Sequence, residues 1–295
     1  MHYKRTFGDI VYDVVVYSLV AFLVIATLYP LIYVFSMSVS DPLAAARGDV
    51  WLFPVGFSLT SIKRVLSDRE ILRYYWNTIR YTAMCTVTHI IVTALAAYPL
   101  SRPEFRMRKS VTKFIMVTMF FGGGTIPTYI VVSRFLGLYN NVWVLAILGL
   151  TSAYNIMIAR NFFISLPGEL IESARIDGAS EFRTFWKIVL PLSKPILAVL
   201  ALYKAVAIWN SYFNAMLYLK DKTLQPLALY IREVILQNSI STLLESGEGL
   251  SAEVLLSTMQ LEYSVILVSV VPMICIYPFL SKYLEKGLMI GSVKG

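Results

Sequence analysis

The 295 residues are 57% apolar and 15% charged, with a mean hydropathy of +0.66, a balance that excludes an ordinary water-soluble domain. The net charge of +8 could in principle serve nucleic acid, but the cations sit in the segments between long apolar runs, as in a chain oriented in a bilayer. Two histidines, His2 and His89, cannot build a zinc hydrolase centre, and the chain has no G-x-x-x-x-G-K-[ST] loop with which to hydrolyse nucleotide.

In chain order, about six stretches approach the roughly 20 residues needed to cross hydrocarbon: 14–39, 80–100, 114–133, 142–159, 196–219 and 261–281. Backbone amides must be paired within lipid, and these runs lack the alternation of a membrane barrel, so the spans are expected to be helices. The fold class is therefore an all-α integral membrane protein, a bundle of six transmembrane helices in a single domain over 1–295. The first apolar run is far longer than a signal-peptide core of about 7–15 residues, so Ala44–Ala46 is read as part of an outer segment and not as a cleavage site.

With the amino terminus inside, about 15 cations fall on the cytoplasmic side, among them Lys4, Arg5, Arg102, Arg106, Arg160, Arg175, Lys282, Lys286 and Lys294, against about nine outside. Both termini are expected in the cytoplasm. Outer segments are then 40–79, with an amphipathic stretch at Leu59–Tyr75, and 220–260, which holds Pro226, Gly247 and Gly249 and is long enough to suggest a partner contact. Gly122–Gly124 with Pro127 predict a break in the third span. Cys85 and Cys275 read as small apolar residues. His89, one turn from Cys85, is expected to be a neutral imidazole bonded to a neighbouring helix, with a metal or proton site as the alternative.

The longest inner segment, 160–195, has its own signals. Pro167 opens a helix with Glu169 and Glu172 near its positive end, Gly178 closes it, and Ser180 caps a second helix carrying Glu181, Phe182, Phe185, Trp186 and Lys187. Two short helices joined at a glycine fit a groove in another protein or, equally on these grounds, an amphipathic pair lying on the membrane surface.

Glu172, Ser173, Ala174, three residues, Gly178, nine residues, Ile188, one residue, Leu190 and Pro191 together resemble the E-A-A motif of binding-protein-dependent ABC importers, with Ser173 where alanine is usual. The stretches 123–129, 152–163, 209–218 and 286–295 resemble the six-span carbohydrate permeases of maltose type, and the chain as a whole looks most like a permease subunit of the alginate-oligosaccharide importers. The resemblance implies that 160–195 forms cytoplasmic coupling helices, with Glu172, Ser173, Ala174, Asp177, Gly178, Ile188, Leu190 and Pro191 docking on an ATPase subunit. It also implies a second homologous permease, an ATPase dimer that carries ATP and Mg, a periplasmic substrate-binding protein above the 220–260 loop, and the bacterial inner membrane. This chain itself would be neither an enzyme nor the holder of a cofactor, and its remaining neighbours would be membrane lipids.

At about 100° per residue, Tyr203, Lys204, Ala207, Asn210, Ser211 and Asn214 fall within an arc of about 120° on the fifth span. Such a face looks into a wet cavity as a substrate path or bonds to neighbouring helices. Lys204, a cation inside a span, points to an acidic oligosaccharide as cargo; neutral oligosaccharides are the alternative. An ion-coupled secondary transporter would use membrane acids, of which Glu262 is the nearest, and an intramembrane enzyme would need convergent acids, histidines or cysteines that the spans lack.

Overall fold

The computed structural model describes residues 6–244, 260–276 and 278. Lys4, Arg5, Gly247, Gly249, Lys282 and the tail from Lys286 lie outside the described residues. Among those described the chain is helical without strands: α1 Phe7–Ser38, α2 Pro42–Arg47, α3 Thr60–Ser67, α4 Arg69–Ser101, α5 Arg108–Val117, α6 Thr125–Ile130, α7 Trp143–Leu148, α8 Ala153–Ser165, α9 Gly168–Ile176, α10 Glu181–Thr184, α11 Leu190–Leu192, α12 Lys194–Trp209, α13 Phe213–Tyr218, α14 Leu227–Leu244 and α15 Gln260–Ile276.

Two of these helices are long and apolar enough to cross a membrane unbroken, α1 with 32 residues and α4 with 33. At about 1.5 Å per residue each exceeds the roughly 30 Å of hydrocarbon. The third, fourth and fifth expected spans are interrupted, each from a local cause, whereas the sixth is the shorter apolar helix α15. The third stops at Val117 and restarts at Thr125, with Gly124 at φ +75°, as Gly122–Gly124 and Pro127 led one to expect. The fourth unwinds at 149–152 before Ser152 caps α8 by accepting from the Asn155 amide at 3.3 Å. The amphipathic stretch at 59–75 is likewise divided, because Asp68 ends α3 and caps α4 through the Glu70 amide at 2.7 Å.

Packing divides the chain into two units, 1–72 with 233–271, and 73–232 with 272–295. In the first, Gln260 at the start of α15 is buried and accepts from the Ser61 hydroxyl at 2.6 Å while its amide donates to the carbonyls of Met37 and Ser40, where α1 ends. Met37, Ala45 and Val50 pack around that knot with Tyr33 and Tyr263. One amide side chain thus joins α1, α3 and α15.

In the second unit α4 is the central post. Its N-terminal turns hold the 221–227 loop, with Asn77 donating to the carbonyls of Thr223 (2.7 Å) and Gln225 (3.0 Å), Tyr81 to Leu224 (2.8 Å), and Thr78 accepting from the Leu227 amide (2.8 Å). Its middle turns satisfy the unwound backbone at 149–152. The His89 Nδ1–H donates to the Gly149 carbonyl at 3.1 Å, and because that carbonyl can only accept, Nε2 is left to accept from Asn155 at 2.8 Å. His89 is therefore the neutral helix-bonding imidazole the sequence suggested. Non-helical backbone at this depth is tolerated only when protein supplies such partners.

Candidate functional site

The segment from Pro167 folds as its residue types dictate. Pro167 precedes α9, and α9 closes with the Gly178 amide bonded to the Arg175 carbonyl (3.0 Å) and the Ala179 amide to the Ala174 carbonyl (2.9 Å). This paired closure needs a left-handed residue at its turn, and Gly178 supplies it at φ +73°. Ser180 then caps α10 by accepting from the Arg183 amide at 3.3 Å. The second helix runs on past Lys187. It continues through a π-helical turn at Phe185–Val189 and α11, then bends by 76° at Ser193 into α12. The second helix of the loop and the expected fifth span are consequently one jointed rod.

Two faces emerge. Ile171, Ala174, Phe185 and Val189 are buried, and Ile171, Phe185 and Val189 pack in a core with Ala94, Ala97 and Tyr98 of α4, Ile156, Ala159 and Phe163 of α8, and Leu197 and Leu200 of α12. Of the expected docking residues, Glu172, Ser173, Asp177, Gly178 and Pro191 lie on the exposed face, beside Ile176 (81% exposed) and Phe182 (70%). Ala174 is turned into the fold, Leu190 is half-buried against the core, and Ile188 is half-buried. The exposed face mixes apolar and acidic groups.

A polar network that the sequence reading did not single out links these helices to α4. Arg175 donates through Nη2 (2.8 Å) and Nε (3.2 Å) to one carboxylate oxygen of Glu181, and through Nη1 to Glu104 in the α4–α5 loop. The other Glu181 oxygen accepts from the Tyr98 hydroxyl at 2.7 Å. Arg102 lies over the Tyr98 ring at 4.8 Å, and Phe185 packs on it at 5.0 Å. A cavity of about 440 Å³ opens beside the network, lined among others by Arg102, Glu104, Phe105 and Phe182.

The Arg175 guanidinium holds the Glu104 carboxyl below its ordinary range; for Glu181 the Tyr98 hydroxyl is the main cause, with Arg175 next. Glu104, chiefly, raises Arg175 further. These partners are more than a third exposed, so each ion pair contributes only about 0.2–1 kcal/mol. Burial of one side chain such as Phe185 contributes about 1.5–3 kcal/mol. Packing therefore contributes more than the network to holding the loop on the bundle. The signal in the sequence was slight: Arg175 and Glu181 flank the Gly178 turn, but nothing local joins either to residues 98–104.

The residues expected on one arc of the fifth span are set apart in the fold. Tyr203, Lys204, Asn210, Ser211 and Asn214 do not share one helical arc, because α12 ends at Trp209. The Asn210 amide and side chain both donate to the Val206 carbonyl (3.2 and 3.0 Å), and the Ser211 amide bonds to Ile208 (3.0 Å), a tight turn that diverts the chain. Tyr203 and Asn210 are exposed. Ser211 and Asn214 come together in a cleft of about 20 Å³ with Thr78, Tyr81, Leu145, Ile208 and Pro226, room for a water and not for a sugar ring. Lys204 lies elsewhere, its ammonium against Gly149, where any side chain would collide with it, and within electrostatic reach of Cys85 and His89. Among the described residues no carboxylate pairs with it.

The chain belongs to the binding-protein-dependent transport system inner membrane component family, whose model matches residues 3–289. It is thus a multi-pass membrane permease component, a transport subunit and not an ATPase. Among curated relatives it is similar to Protein LplC of Bacillus subtilis (strain 168), 37% identical over 269 residues, 91% of this chain and 90% of the relative. It is also similar to the polygalacturonan/rhamnogalacturonan transport system permease protein YtcP of the same organism, 32% identical over 286 residues, 96% and 98% of the two chains. In three dimensions it matches a chain from the crystal structure of a bacterial ABC transporter involved in the import of the acidic polysaccharide alginate, with a TM-score of 0.84 at 34% identity, over 95% of this chain and 99% of that one.

Proposed function

We propose that this chain is one membrane subunit of an ATP-driven importer of acidic oligosaccharides in the bacterial inner membrane, with both termini in the cytoplasm. The observation that carries the coupling half of this reading is the elbow at Gly178, which presents Glu172, Ser173, Asp177, Ile176 and Phe182 outward while its other face is built into the core of the bundle. An ATPase dimer binding ATP and Mg docks on that outward face. Closure of the dimer moves α9 and α10, and the bundle, paired with a second permease, alternates between inward-open and outward-open forms. A periplasmic binding protein delivers the cargo from the other side.

Lys204 supports the acidic half. An ammonium inside a membrane bundle, without a carboxylate partner among the described residues, is stabilised when an anionic group comes within reach. The similarity to a chain of the alginate importer and to the polygalacturonan permease agrees with it, since both polymers carry carboxylates. The narrow cleft at Ser211 and Asn214 is then a closed form of the path, which widens when α12 and α13 separate at their Asn210 break.

The test is the reconstituted complex with its binding protein loaded in turn with uronate and neutral oligosaccharides. Uronate-loaded protein should stimulate ATP hydrolysis and uptake. Stimulation by neutral sugars alone contradicts the acidic cargo.

A further inference from the structure

The structure assigns Arg175, Glu181, Glu104 and Tyr98 a positioning role: they clamp the elbow to the inner end of α4, so that a push on α9 moves the membrane helices instead of bending the turn at Gly178. This inference rests on the docking role of the exposed face. The turn itself is a weak strut. It consists of Gly178 in a left-handed conformation, Ala179 and the cap Ser180, followed by a helix of four residues. Without a brace, displacement of Glu172 and Asp177 would be absorbed there.

The brace has the right connections. One guanidinium reaches α10 through Glu181 and the α4–α5 loop through Glu104, and the two oxygens of Glu181 are divided between Arg175 and Tyr98. Four segments therefore meet at two side chains. Tyr98 is itself closely packed: it is 8% exposed, with Phe185 against its ring at 5.0 Å and Arg102 over it at 4.8 Å. From α10 the helical rod leads through the 76° bend into α12, which carries Lys204. The clamp thus joins α9 to two helices of the bundle, α4 and α12. The clamp carboxylates and guanidinium are half in solvent, so the core does not depend on them for its packing.

The experiment uses the complete transporter and measures cargo taken up per ATP hydrolysed, with the melting temperature of the complex recorded alongside. Tyr98→Phe deletes one hydroxyl and keeps the packed ring, Glu181→Gln keeps the shape without the charge, and Arg175→Lys keeps the charge without the fork. Each variant should retain ATP hydrolysis stimulated by loaded binding protein and an unchanged melting temperature, while uptake per ATP falls roughly 3- to 10-fold. The double variant Tyr98→Phe with Glu181→Gln should be no worse than the poorer single one, because both cut the same link. Wild-type uptake per ATP in all three single variants overturns the clamp. So does loss of stimulated hydrolysis in step with uptake, which would make these side chains part of the docking contact. The docking role fails separately, if Glu172→Lys leaves stimulated hydrolysis intact.

Discussion

The loop from Gly168 to Ser193 and the segment that follows it, Lys194–Tyr218, dispose of their polar residues in opposite ways. In the loop, the charged groups Glu172, Arg175, Asp177 and Glu181 are at the surface, and a continuous apolar face fixes the loop to α4, α8 and α12. In the following segment, the polar groups are spread over three environments: Tyr203 and Asn210 exposed, Lys204 against the unwound backbone at Gly149, and Ser211 with Asn214 in a narrow cleft. The first arrangement suits a part handled from outside by another protein. The second suits a part that bends, since its polar groups mark the joint at Asn210 and the contact with the break at 149–152.

The largest effect expected from disturbing the first region comes from Gly178→Pro. Proline fixes φ near −65° and removes the amide that donates to Arg175, whereas Gly178 needs φ +73°. The local cost is about 3 kcal/mol or more, and coupled uptake by the reconstituted complex should fall by more than tenfold. Wild-type uptake would show that the elbow is not needed. In the second region, Lys204→Met should lower uptake of uronate oligosaccharides about tenfold, roughly the 1.4 kcal/mol of one charge-assisted hydrogen bond, and spare neutral ones. An equal effect on both cargoes would remove the charge argument.

A smaller change separates structure from transport at the 149–152 break. His89→Ala leaves the Gly149 carbonyl and the Asn155 amide without their partner, which should cost about 1–3 kcal/mol and lower the melting temperature of the purified complex. An unchanged melting temperature would show that the break is held by other groups. The smallest effect is that of pH on the loop. Glu104 and Glu181 have lowered carboxyl pKa values, so their contribution is complete above the ordinary carboxylate range and is lost only as pH falls through the lowered values. Uptake per ATP should be flat between about pH 6 and pH 8; a fall within that window would require another titrating group.

These two regions also divide what could be read in advance. The loop is specified by near neighbours: a proline to enter, a glycine to turn, a serine to cap. Such signals act over a few residues, and the structure follows them at Pro167, Gly178 and Ser180. In the fifth span, one helical period continued through Asn210 and Ser211 overruns the helix, which closes there with bonds back to Val206 and Ile208. Periodicity describes a helix but does not say where it stops. The two long helices were legible from apolar length alone, and the glycine-rich break at 122–124 from composition. The link between Arg175, Glu181, Tyr98 and Glu104 joins residues about seventy or more positions apart, and only the folded chain brings them together.

The most direct measurement is substrate-stimulated ATP hydrolysis by the full complex carrying Glu172→Lys. Glu172 is exposed on α9 and lines a cavity with Arg102, Glu104 and Arg175 but makes no ion pair with them, so the substitution reverses charge at the docking surface without disturbing the core. Loss of stimulation by loaded binding protein, with the permease pair still assembled in the membrane, is the expected result. Stimulation equal to that of the unaltered complex would contradict the docking role of this face.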